Sequence, residues 1–129
     1  MAKRRELSKA ELEVAQALWR LGEGAVRDVV DALSAAGRKA DFATVQTYLR
    51  RLKAKGYVRT RRVGRADVYM PAVRPGSVIK DVVKDFVNRI FDGDAVPLVQ
   101  HLIDDRGLSD EQIQQLQQHL DELKRRRNS

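Results

Sequence analysis

The chain has 129 residues, 43% hydrophobic and 33% charged, with a formal net charge of +7; this mix is globular and excludes a disordered or collagenous chain. The absence of cysteine excludes a disulfide scaffold and any cysteine-ligated zinc or copper site. No apolar run approaches the ~20 residues of a spanning helix, and the basic start, Met1 to Glu6, leads into no signal-peptide core. No membrane insertion and a cytoplasmic location are the expectations.

Ser8 opens the first helix, because its hydroxyl can take the amide of Glu11 while Glu11 reaches back to form a capping box. Leu12, Ala15, Leu18 and Trp19 follow at helical spacing, with Trp19 as a core anchor, until Gly22 and Gly24 end the segment. A second, short helix sets Val26, Val29, Val30 and Leu33 on one side and stops at Gly37. Asp41 caps a third that runs to Gly56, with Val45, Tyr48, Leu49 and Leu52 as its apolar face.

Beyond Gly56 the period becomes that of strands. Tyr57 to Val63 and Ala66 to Val73 are rich in β-branched and aromatic residues, and Gly64-Arg65 suits a two-residue hairpin turn. Val58 and Thr60 are expected on one face, and Val68 and Met70 alternate with Asp67 and Tyr69.

Charge is concentrated in this region. Residues 38–65 hold ten basic side chains against the single acid Asp41, a net +9 that exceeds the excess of the whole chain. Local charge of this density marks a polyanion-binding surface. Three helices and a basic-tipped hairpin form the layout of a winged helix-turn-helix. The third helix then offers Thr44, Gln46, Thr47, Arg50, Arg51 and Lys55 to DNA, and the hairpin offers Arg61, Arg62 and Arg65. Gln suits an adenine edge, Thr a thymine methyl, and Arg a guanine or a phosphate.

Pro75-Gly76 marks a boundary, giving a winged-helix domain over 1–74 and a helical domain over 75–129. A helix from Ser77 to about Asp92 carries Ile79, Val82, Val83, Phe86, Val87, Ile90 and Phe91. Gly93 and Pro97 are expected to break it, and Leu98, Val99, Leu102 and Ile103 make a short helix stopped near Gly107. Ser109 caps the last helix, where Ile113, Leu116, Leu120 and Leu123 form a heptad-like seam. This much aliphatic surface is most economically buried against a second copy. The expected dimerisation residues are Ile79, Val83, Phe86, Ile90, Leu98, Leu102, Ile113, Leu116, Leu120 and Leu123. The fold class is mainly α with a small β-hairpin.

Catalysis finds little support. His101 and His119 are the only histidines, and no Gly-rich phosphate loop occurs. His101, Asp104 and Asp105 share a spacing that can bind a metal, but two solvated acids explain it as well. Neither an enzyme nor a cofactor is expected.

The chain resembles the BlaI/MecI/CopY-type penicillinase repressors from Leu7 to about Lys124. The resemblance rests on four stretches: the opening Leu7-Ser8 with Ala10-Glu11, Glu13-Val14 and Leu18-Trp19; Thr44-Val45-Gln46-Thr47 with Leu49, Arg51-Leu52 and Lys55-Gly56; Tyr69 with Pro71; and Gly107-Leu108-Ser109. It implies a dimeric winged-helix repressor that binds an inverted repeat of DNA and is released by a signal acting on its C-terminal half. In staphylococcal members a membrane sensor-protease leads to cutting in that half, so a regulatory protease is an implied partner. The bond cut in β-lactam-responsive members, an Asn–Phe pair, falls at His101–Leu102 here. Without cysteine, the copper-sensing branch is excluded. Position 43 is Ala where some relatives carry Lys. The competing class is a non-regulatory nucleic-acid-binding module, a nucleoid- or RNA-associated adaptor.

Overall fold

Ser8 starts α1 (Lys9–Leu21) through a complete capping box: its Oγ accepts the Glu11 amide at 3.1 Å and Glu11 Oε1 accepts the Ser8 amide at 2.8 Å. The computed structural model describes residues 5–129, and the basic Lys3 and Arg4 lie outside them. The buried face of α1 is Glu11, Val14, Ala15, Ala17 and Leu18, whereas Leu12 and Trp19 are half-buried at its margin. Trp19 therefore flanks the core instead of anchoring it. The helix presents the 14–18 turn to its neighbours because α2 and α3 both pack against it.

Helices α2 (Val26–Ala35) and α3 (Phe42–Ala54) bury Val26, Val29 and Leu33, and Val45, Leu49 and Leu52. Leu18, Val29, Val45, Leu49 and Leu52 are the largest fully enclosed side chains. Burying each contributes about 1.5–3 kcal/mol. Strands β1 (Val58–Val63) and β2 (Ala66–Pro71) pair antiparallel from Val58↔Pro71 to Val63↔Ala66. Gly64, at φ 62°, supplies the left-handed backbone that the first position of the two-residue turn needs.

This register decides which face of β2 is buried. Tyr69 lies opposite Thr60 and is buried on the Val58 side, while Val68 and Met70 are only half-buried. Residues directly opposed in an antiparallel pair share a face, so fixing the turn fixes Tyr69 inward. Its backbone also pairs with Gly24, N–H to carbonyl at 2.8 and 3.0 Å. A Cβ at Gly24 would meet Asp28 Cβ at 3.0 Å, so a larger residue there would have to push the start of α2 aside.

The remaining elements are α4 (Pro75–Phe91), α5 (Ala95–Arg106) and α6 (Asp110–Asn128). The chain does break between α4 and α5, near Gly93 as expected. Pro75 begins α4 instead of separating domains, since a proline at the first helical position lacks only an amide that would be unpaired anyway. Pro97 sits in the first turn of α5 for the same reason, so the short helix expected here starts two residues before it. Ser109 caps α6 with Gln112 in a second capping box.

Contacts divide the chain into two compact units, Met1–Lys80 and Asp81–Ser129. The division falls inside α4 and not between 74 and 75, because Val78 is 3% exposed and belongs to the winged-helix core. Among the described residues no helix is long and apolar enough to cross a membrane.

Candidate nucleic-acid interface

Asp41 sets the register of α3. Its carboxylate accepts the Thr44 amide at 2.7 Å, and that hydrogen bond holds the Asp41 carboxyl below the usual carboxylate range. With the start fixed, the helical period puts Val45, Leu49 and Leu52 inward and leaves Thr44, Thr47, Arg50 and Arg51 exposed. The Thr47 hydroxyl donates to the Ala43 carbonyl at 3.0 Å, so its proton is already used and its lone pair and methyl remain for a ligand. The Arg51 guanidinium lies 5.4 Å from the centre of the Tyr48 ring.

Gln46 is half-buried because it borders a groove between α2, the start of α3 and the hairpin. Arg62 and Arg65 of the hairpin line that groove, as do Arg27 and Phe42. A candidate base reader and two candidate phosphate ligands thus share one concavity. Tyr69 forms its inner wall; burial and the nearby Asp67 charge raise its phenol, partly offset by Arg50, so it remains neutral there.

The hairpin cations are only loosely held. Arg61 pairs with Glu23 at 3.0 Å and Arg62 with Asp67 at 3.4 Å, all four side chains being about half exposed or more. Exposed pairs of this kind are worth about 0–1 kcal/mol, so a phosphate can displace them. Among the described residues, Arg65 has no carboxylate within ion-pair distance.

Lys55, expected among the DNA ligands, is engaged within the fold. Its ammonium donates to Glu11 Oε1 at 2.7 Å and to the Glu6 carbonyl at 2.8 Å, which withdraws it from the exposed face of α3. Glu11 is 2% exposed. A carboxylate taken out of water needs a partner, and Lys55 is that partner. Spacing along α3 alone does not show this, because Glu11 lies on another helix.

Two residues of the groove were missed by sequence reasoning. Arg27 lies in a stretch whose charges balance, and Phe42 falls outside the apolar stripe of its helix. The structure places the Arg27 guanidinium 5.6 Å from the centre of the Phe42 ring.

The expected dimerisation residues all lie on α4, α5 and α6, Ile79 within the first unit and the others in the second. Ile79, Val83, Phe86, Ile90, Leu102, Ile113, Leu116, Leu120 and Leu123 are exposed in a single copy, and Leu98 is half-buried. No described residue of α6 is buried. Phe86 meets Phe91 edge to face at 6.1 Å. His101 pairs with Asp105 at 3.0 Å one helical turn away. Among the described residues no three metal-binding side chains converge.

A family model described as penicillinase repressor matches residues 7–122. A penicillinase repressor of Bacillus licheniformis is 32% identical across 98% of each chain. The methicillin resistance regulatory protein MecI of Staphylococcus aureus (strain N315) is 23% identical, covering 86% of this chain and 89% of its own. The solved DNA-binding domain of the repressor BlaI is similar at a TM-score of 0.50 and 33% identity, over 58% of this chain and 90% of that one.

Proposed function

The chain belongs to the penicillinase repressor family and is a DNA-binding transcriptional repressor, and we propose from that premise that it acts as a homodimer on an inverted-repeat operator. Each α3 lies in the major groove, with Thr44, Gln46 and Thr47 at base edges and Arg50 and Arg51 on bases or phosphates. Arg61, Arg62 and Arg65 hold the backbone alongside. The observation that carries this reading is the groove that Gln46, Arg62 and Arg65 line together.

Gln46→Ala is expected to relax preference at one base-pair position, at about 1–3 kcal/mol for the preferred base. Arg65→Ala is expected to weaken all sequences alike and to lower the salt slope by roughly one. The measurement is binding to duplexes selected from random DNA, repeated with single-base variants. Uniform weakening by Gln46→Ala would remove it from base reading and favour a module that binds without sequence preference.

The second copy covers the apolar faces of α4, α5 and α6. Leu116 and Leu120, at 42% and 54% exposed, step along the same side of α6. Leu116→Glu with Leu120→Glu places unpaired charge in that seam, at several kcal/mol. Sedimentation should then show a monomer at low micromolar concentration whose winged helix still melts cooperatively. A variant that stays dimeric would move the interface off α6.

Release follows from uncoupling the two halves of the dimer by a signal on the C-terminal unit. The bond His101–Leu102 lies within the helical span of α5. A protease reaching it must first open that helix, because cleavage needs an extended strand of substrate.

A further inference from the structure

We propose that Arg27, held against the ring of Phe42, is a phosphate clamp of this interface and sets where the operator backbone crosses α2. The inference rests on the reading of the groove as the operator face. Arg27 stands in the first turn of α2, and Phe42 is the first residue of α3. The two elements that meet the groove from different sides are thus joined by one cation–π contact, 5.6 Å from guanidinium to ring centre.

The contact acts on orientation. A guanidinium stacked on an aromatic face loses rotamers but keeps its planar edge of N–H donors free, which is the geometry that meets a phosphate. Phe42 is 41% exposed, so the ring gives up little apolar burial by serving as a platform. Two acids near the groove are otherwise engaged. Asp28 accepts the Ala25 amide at 2.9 Å, and Asp67 pairs with Arg62 at 3.4 Å. Among the described residues no carboxylate lies within ion-pair distance of Arg27. Its charge is therefore available to an external anion.

A phosphate suits the position better than a base. When a recognition helix enters the major groove, the helix before it in a helix-turn-helix crosses the backbone. Arg27 belongs to that preceding helix, and Gln46, on the same groove, belongs to the recognition helix. Arg62 and Arg65 close the other side from the hairpin, so the strand would be gripped from two elements.

The test uses the full chain and duplexes that it selects from random DNA. Dissociation constants are measured from 50 to 200 mM salt for the unmodified chain, Arg27→Gln, Phe42→Leu and the pair together. Arg27→Gln is expected to weaken selected and unrelated duplexes by the same factor. Its salt slope should be lower by about 0.9, so its deficit shrinks about 3.5-fold over that salt range. Phe42→Leu should weaken binding less, and the double variant should bind no worse than Arg27→Gln, because the ring acts only through the arginine. A scan of neutral methylphosphonates should find one position that weakens the unmodified chain and leaves Arg27→Gln unchanged.

Unchanged affinity and slope for Arg27→Gln would overturn this proposal and leave the operator reading standing. Loss of preference at a single base pair would overturn it as well, since that is base reading. Failure of the unmodified chain to bind any duplex would overturn the operator reading and this proposal together.

Discussion

A chain ending at Lys80 is expected to bind the operator about 10²–10⁴-fold more weakly than the full chain at the same salt, while remaining folded. One winged helix meets only one half-site. Linking two copies makes the second contact intramolecular, and the gain in affinity then needs no new interaction with DNA. The half-sites should lie about one helical turn apart, or a multiple of it.

The choice of end point comes from the structure. Residues 1–80 form one compact unit whose core cluster includes Val78. A chain ending at residue 74 would lose that side chain and mix a stability defect with the loss of avidity. A second truncation after Leu102 keeps α4 but removes α6 and part of α5. It should fall near the shorter chain if the Ile113–Leu123 seam carries the dimer. Equal affinity for all three chains would mean that the C-terminal unit does something other than join two DNA readers.

The second large effect concerns Lys55, which the sequence placed among the DNA ligands. Lys55→Met is expected to destabilise the winged helix by about 3–5 kcal/mol, because it strands a buried carboxylate. The melting midpoint should fall by roughly 10 °C or more for a domain of this size. Among the described residues the Glu11 Oε2 atom has no hydrogen-bond partner, so none of them stands ready as a second donor. Adding Glu11→Gln to Lys55→Met should recover much of the loss. A variant that melts normally but binds DNA weakly would return Lys55 to the interface.

The pair also gives a pH dependence of definite sign. Burial raises the Glu11 carboxyl, but hydrogen bonds from Lys55 and Ser8 and the lysine charge outweigh it and leave the group below the usual carboxylate range. A depressed folded pKa adds stability above the unfolded value, and that stability is lost as pH falls through the folded value. Without Lys55, only the Ser8 hydrogen bonds oppose burial, and the depression is smaller. The stability gap between the unmodified chain and Lys55→Met should therefore narrow on acidification, as read from denaturation midpoints across the acid limb. A gap that stays constant would mean that Glu11 does not titrate between the two states.

Local signals in the sequence determined a good deal of this molecule. Ser8 with Glu11, Asp41 with Thr44 and Ser109 with Gln112 are contacts over three residues, and each forms as its pattern implies. The helical stripes of α2 and α3, the Gly64-Arg65 turn and the basic run over 38–65 are equally short-range. They sufficed for the winged-helix fold class and for the exposed face of α3. Proline was read too simply: Pro75 and Pro97 stand in first turns, where the ring is tolerated, and the surrounding chain decides whether proline stops a helix or starts one.

What only the tertiary structure decided are the partnerships between elements. Glu11 and Lys55 are 44 residues apart, and their pairing gives a buried carboxylate its cation. Gly24 and Tyr69 bridge across a similar separation and bring the hairpin against α2. Arg27 meets Phe42 only because α2 and α3 pack on a shared core. Capping and turn chemistry act within a few residues and can be read along the chain. Which charge becomes buried, and which stays free for a phosphate, depends on what the folded chain sets opposite it.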